Sequence, residues 1–173
     1  MPSKVKFFLL NKDFSNFKGL RYFDVTEKFV VKAVLEKAEG SRVFMIPANV
    51  GAPRKYLKYG VLKFELDGKS YSLTVFQSET AKKDEYRNLL FIPFRDLTNG
   101  KETYGAGRYL DPKMRPDGTT LVVDFNYAYN PYCAYSEGWS CPLPPWENVA
   151  KTPIPAGEKA FPRKHVHDRD NEG

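Results

Sequence analysis

The sequence predicts a mainly β fold, an antiparallel β-barrel or sandwich with a short helical N-terminal arm and a long loop rich in proline and aromatic residues. Three observations lead there. Apolar and polar residues alternate with a period of two over several short stretches, as strands with one buried face require. The dipeptides Asp67-Gly68 and Asn99-Gly100 stand between such stretches and suit tight hairpin turns. Aromatic residues make up 15% of the chain, with 11 Tyr and 13 Phe, a composition that favours strands.

Residues 1–25 mix Phe7, Phe8, Leu9 and Leu10 with Asp13, Ser15 and Asn16 and keep neither period, so they read as a helix or arm packed on the sheet. A single β-rich domain is expected over 26–162, and 163–173 reads as a disordered polar tail. The first strand is expected over 29–36, with Phe29, Val31, Ala33 and Leu35 on one side and Lys32 and Glu36 on the other. A turn at Ala38-Glu39-Gly40 then leads to a partner strand over 42–46, which Pro47 ends because it has no N–H to donate.

A two-residue turn at Asp67-Gly68 sets Phe64 opposite Tyr71, Leu62 opposite Leu73 and Gly60 opposite Val75, leaving one apolar face. A similar turn at Asn99-Gly100 joins 89–97 to 101–110 and pairs Asp96 with Thr103 and Phe94 with Gly105. Pro93 restricts the first of those arms to an edge or a bulge. After the turn-rich 111–118, a strand over 119–127 places Leu121, Val123, Phe125 and Tyr127 on one face and Val122, Asp124 and Asn126 on the other.

The candidate site is the loop DFNYAYNPYCAYSEGWSCPLPPWEN at 124–148, which holds both cysteines and both tryptophans. Between 116 and 150 there is no Lys or Arg, while Asp117, Asp124, Glu137 and Glu147 give the stretch a charge of −4 in a chain of net charge +6. That sign argues against nucleic acid, whose phosphates need a basic surface. The longest apolar runs, such as 7–10, fall far short of the roughly 18 residues of a membrane span, so no membrane insertion is expected. Lys4 and Lys6 precede too short an apolar run for a secretory leader, which points to the cytoplasm unless a leader has been trimmed.

Tyr104, Tyr109, Tyr127, Tyr129, Tyr132 and Tyr135 are candidates to line a pocket for a planar or sugar ligand, or to pack in the core with their hydroxyls satisfied. Arg108 is expected beside Asp124 and Asn126, either as a structural ion pair or as a fork that grips a ligand carboxylate or phosphate. Asn130, before Pro131, builds the turn or faces the ligand, and Cys133 lies on the same loop. Cys133 and Cys141 have seven residues between them and no His nearby, since His165 and His167 are in the tail. That spacing fits neither a zinc site nor a CxxC dithiol, so no metal is expected. The two are expected close together, as a disulfide or as small buried apolar groups according to compartment.

The runs FKGLRYF at 17–23, YGVLKFELDGK at 59–69, LFIPFRDLTNGKETYGAGRYLD at 90–111, the loop at 124–148 and IPAGEK at 154–159 together resemble the bacterial and archaeal family called domain of unknown function 1684. The resemblance implies no activity, cofactor or substrate, and its signature blocks coincide with the site found from composition. Glu158, in the last block, joins the ligand-binding candidates. Three function classes follow. The first is a small-molecule pocket, for binding or catalysis. The second is a flavin-binding split barrel, in which Arg108 would have to hold the FMN phosphate nearly alone. The third is a protein-interaction module with Pro142, Pro144, Pro145 and Trp146 as its edge.

Overall fold

The computed structural model describes residues 17–78, 89–113 and 119–162. Among them the chain is mainly antiparallel β. A four-stranded sheet has the order β3-β2-β1-β6, from β1 (Val30–Ile46), β2 (Arg54–Leu66), β3 (Lys69–Ser78) and β6 (Thr120–Asp124). A second sheet pairs β4 (Ile92–Phe94) with β5 (Arg108–Leu110).

β1 is one strand of 17 residues, not the expected hairpin. The reason is that β2 is long enough to serve both halves. Ala33 to Lys37 pair with Phe64 to Gly60, and Arg42 to Ile46 pair with Lys58 to Arg54, with a bulge between where Gly40 takes φ +74°. The bulge absorbs the extra residues and bends the strand instead of reversing it. As expected, β1 stops before Pro47, and Phe29, Val31, Ala33 and Leu35 are buried while Lys32 and Glu36 face outward. On that outer face Glu36 pairs with Lys63 at 2.7 Å.

The Asp67-Gly68 turn forms as predicted, with φ +52° and +70°, the two positive values that a type I′ turn requires. Its register matches pair by pair: Phe64 with Tyr71, Leu62 with Leu73, Gly60 with Val75. Leu62, Phe64, Leu73 and Val75 join Val31, Leu35, Leu121, Val123 and Phe125 in one core. Each large apolar side chain withdrawn from water there contributes about 1.5–3 kcal/mol.

The second hairpin differs from expectation. Phe94 pairs with Arg108, not with Gly105, because residues 95–107 form a knot too large for a two-residue turn. The Thr98 carbonyl accepts N–H groups from Lys101, Glu102 and Thr103, and the Asp96 carboxylate accepts the Thr98 N–H at 2.8 Å. Gly100 has φ +79°, but Asn99 lacks the positive φ that type I′ would need. Thr103 consequently bridges Asn99 rather than Asp96.

Short bridges link the two sheets. Phe76 of β3 and Phe91 exchange backbone hydrogen bonds at 2.9 and 2.8 Å. Beside them the buried Asn148 carboxamide acts as a strand in miniature. Its oxygen accepts the Thr74 N–H at 2.7 Å, and its nitrogen donates to the carbonyls of Thr74 and Pro93. On the far side of β5, Tyr109 and Tyr129 exchange backbone hydrogen bonds.

β6 pairs with β1 and ends in a 3-10 turn over Phe125–Tyr127. Leu121, Val123 and Phe125 are buried as expected, but the turn swings Tyr127 out to 77% exposure. Residues 17–25 are not helical; Tyr22 bridges Glu158, and Phe23 N–H donates to the Gly157 carbonyl. The expectations for 1–16 and for the tail 163–173 lie outside the described residues.

Candidate functional site

Asp124 and Asn126 do not meet Arg108. The Asp124 carboxylate accepts the Asn126 N–H at 2.9 Å, capping the turn, and the Asn126 carboxamide exchanges hydrogen bonds with the backbone of Thr26. The expected juxtaposition assumed that β6 lies beside β5, whereas it lies beside β1. Arg108 instead pairs with Asp96 at 2.8 Å, both side chains fully buried. The guanidinium also donates to the carbonyls of Ile154 and Ala156, and it sits over the Phe94 ring. Its two terminal nitrogens are therefore taken by protein groups, while the buried Nε makes no hydrogen bond among the described residues. Burial works to lower the Arg108 pKa, and Asp96 opposes that shift. The pair ties 154–156 to the turn that follows β4.

Asn130 and Glu158 hold the loop from below. The buried Glu158 carboxylate accepts the Asn130 N–H at 3.0 Å, the Asn130 carboxamide at 2.9 Å and the Tyr135 hydroxyl. Burial pushes the Glu158 carboxyl above its ordinary range, while the bonds from Asn130 and Tyr135 pull it back. From the other end, residues 140–143 are strapped to the β1–β2 connection. Cys141 N–H donates to the Asn49 side chain, Leu143 N–H to the Pro47 carbonyl, and the Arg54 guanidinium to the Ser140 carbonyl.

Between these anchors lies a cleft of about 810 Å³. One wall is a continuous row of rings: Tyr56 stacks on Phe91 at 5.1 Å, Phe91 meets Tyr109 edge-on at 4.9 Å, and Tyr109 meets Tyr129 at 5.7 Å. Facing it are Tyr132 and Trp139, 5.3 Å apart. Asp111 and Arg54 bring opposite charges to the lining. The Tyr129 hydroxyl donates to Asp111 at 2.6 Å, and the Tyr109 hydroxyl to the Pro142 carbonyl. Burial raises the pKa of both phenols and of the Asp111 carboxyl, so the tyrosines remain neutral donors.

Cys141 lines the cleft, and Cys133 lies directly behind it. Both are free thiols, buried and in hydrogen-bond contact, as their common loop led us to expect. The Tyr104 hydroxyl donates to the Cys133 sulfur at 3.6 Å, and the Cys133 and Cys141 thiols are hydrogen-bonded to each other. Cys141 also accepts the N–H groups of Cys133 and Tyr132, and Arg54 adds positive charge. The Cys133 hydrogen bond, helped by these groups against burial, lowers the Cys141 thiol to about 7, while the same bond pushes Cys133 up.

Of the residues singled out in the sequence as ligand-facing, Tyr109, Tyr129, Asn130 and Tyr132 line the cleft, and Cys133 with Tyr104 adjoins it through Cys141. Arg108, Asp124, Asn126 and Glu158 are not among the lining residues; Asp124, Asn126 and Glu158 position the loop through their hydrogen bonds, and Arg108 holds the 154–156 segment. Sequence reasoning missed Tyr56, Phe91, Arg54 and Asp111, which arrive from other strands with no local signal. Trp139 was inside the flagged loop but was not singled out, and Cys141 was singled out for its pairing with Cys133 rather than as a lining residue. Among the described residues no group of His, Cys, Asp and Glu is arranged to hold a metal, and no helix is long and apolar enough to cross a membrane.

Fold and site define a class: a mainly antiparallel β protein with an aromatic cleft roofed by a proline-rich loop. The profile of the family described as Protein of unknown function (DUF1684) matches residues 15–159, and the chain belongs to that family. Its structure is similar to the solution NMR structure of an uncharacterized protein from Haloarcula marismortui, with TM-score 0.70 and 34% sequence identity over 88% of this chain and 82% of that one. A search of the curated proteins finds no match.

Proposed function

We propose that this protein binds a small, planar and largely apolar molecule in the cleft under the 124–148 loop, with Tyr56, Tyr109, Tyr129, Tyr132 and Trp139 as its walls. The observation that carries this reading is the unbroken ring row from Tyr56 to Tyr129 facing Trp139 across about 810 Å³. Ligand pockets run from about 300 to 1,000 Å³, are mainly apolar and aromatic, and carry few polar groups. Here Asp111 and Arg54 supply those groups, so a ligand with both a donor and an acceptor at one edge suits the site best. We also read the run of pairings from β6 through β1, β2, β3, β4 and β5 to Tyr129 as a barrel closed but for short gaps, with the cleft at one end.

The flavin reading is weaker, because Arg108 is committed to Asp96 and Arg54 is the only cation lining the cleft among the described residues. The interaction-module reading is weaker too. Pro145 is buried and Pro142 faces the cleft, which leaves Trp146 exposed without its proline neighbours as an edge.

The test uses the two tryptophans. Trp146→Phe removes the more exposed indole and leaves Trp139, in the cleft lining, as the reporter. Native mass spectrometry of the purified protein names any bound molecule, and titration with that molecule, or with a panel of planar aromatic compounds, reads binding by Trp139 emission. Saturable quenching lost in Tyr129→Ala supports the proposal; no bound mass and no saturable response overturn it.

A further inference from the structure

The cleft holds one feature that ligand binding does not use, the ordered pair of thiols. We propose that Cys141 and Cys133 form a peroxide-reactive dithiol, in which Cys141 is the attacking sulfur, Cys133 the resolving one, and the substrate a hydroperoxide entering through the cleft. Position separates the roles. Cys141 forms part of the cleft lining, whereas Cys133 is not among the lining residues and lies behind it in hydrogen-bond contact.

The contacts around the two sulfurs fit the same roles. The Tyr104 hydroxyl donates to Cys133, the two thiols are hydrogen-bonded to each other, and the N–H groups of Tyr132 and Cys133 end on Cys141. Besides burial, the groups that act on the Cys141 sulfur are Cys133, the two N–H groups and Arg54, and the phenols of Tyr56 and Tyr109, raised chiefly by burial, are raised further by that sulfur. A thiolate held by donors, open to a cleft and backed by a second thiol is the arrangement in which cysteine oxidation is selective.

The chemistry balances in two steps. The Cys141 thiolate attacks the terminal oxygen of ROOH; an S–O bond forms, the O–O bond breaks, and RO⁻ leaves to take a proton as ROH. The sulfur, oxidised by two electrons, is then a sulfenic acid. Cys133 attacks that sulfur, the S–S bond forms, and the sulfenic hydroxyl departs with the Cys133 proton as water. In sum, two thiols and ROOH give a disulfide, ROH and water, and a thiol reductant of the medium restores the pair.

The experiment is a titration of the reduced protein with hydrogen peroxide, read by mass spectrometry of the intact chain and of its peptides without reduction. Wild type is expected to lose two hydrogens and to yield one peptide linked through Cys133 and Cys141. Cys133→Ser is expected to stop at a sulfenic acid on Cys141, trapped by dimedone, and Cys141→Ser to leave Cys133 unoxidised at the same dose. In case either variant folds poorly, alkylation of wild type by iodoacetamide gives a second reading: Cys141 is modified first, with a rate that is half-maximal near pH 7 rather than 9. Oxidation no faster than that of free cysteine, first modification at Cys133, or a disulfide formed with oxidised glutathione but not with peroxide would each overturn the proposal. No cleft ligand is present in these assays, so the ligand-binding reading stands or falls by its own titration.

Discussion

Removing Asp96 should damage this fold more than removing almost any surface charge. Its carboxylate forms the ion pair with Arg108, and both side chains have 0% exposure. Asp96→Ala leaves a guanidinium in the interior with carbonyl partners alone, a loss of about 3–5 kcal/mol. For a chain of 173 residues, each kcal/mol moves the melting temperature by about 2–4 °C, so the expected fall is about 6–20 °C. Arg108→Lys should fall nearly as far, because one ammonium cannot reach Asp96, Ile154 and Ala156 as the planar fork does. Arg108→Met combined with Asp96→Leu should recover much of the loss, since it removes both charges together. Thermal unfolding followed by circular dichroism, with urea titrations for the free energies, measures all four proteins. An Asp96→Ala protein that melts within about 2 °C of wild type, under 1 kcal/mol on that scale, would refute the assignment of this pair as the anchor of the 154–156 segment.

Asn148→Ala should cost about 3 kcal/mol or more in urea titrations, because it strands the Thr74 N–H and two carbonyls, at about 1–3 kcal/mol for each buried group left unpaired. Lys63→Ala should change stability by less than about 1 kcal/mol, its ion pair with Glu36 being more than half exposed. Glu158 has a carboxyl raised in the folded chain by burial, so folding retains its proton at pH values where the unfolded chain has released it. Its contribution is complete below the ordinary value of 4.5 and declines as pH rises through the folded value. The unfolding free energy of wild type minus that of Glu158→Gln should therefore fall as pH rises above 4.5, and a flat difference across that range would contradict the raised carboxyl.

The parts of the fold that were legible in the sequence are those decided locally. Asp67 and Gly68 both accept positive φ, so turn type, register and the inward face from Leu62 to Val75 follow together. Gly40 shows the limit of such reading: a glycine between two alternating stretches suits a turn or a bulge equally, and the length of β2, a separate element, decides for the bulge. Arg108 was recognised as a buried cation in need of a partner, but the partner depended on which strand lay next to β5. Asp96 lies 12 residues earlier, in an arm expected to pair it with Thr103. The site follows the same division. Tyr109, Tyr129 and Asn130 stand in an aromatic-dense stretch and were found, whereas Tyr56 and Phe91 come from β2 and from the approach to β4, and only the pairing of β3 with Phe91 brings them together.

The place of β1 between β2 and β6 bears on how the chain is made. β1, β2 and β3 are consecutive, so their meander can zip as soon as residue 78 has emerged from a ribosome. The other edge of β1 must wait for Thr120–Asp124, and until then Val30 to Val34 present an unpaired backbone beside an uncovered apolar face. Such an edge invites pairing with another chain. Synthesis of this protein thus passes through an interval in which its most ordered part is also its most adhesive, and the interval closes only when the strand leading into the cleft loop arrives.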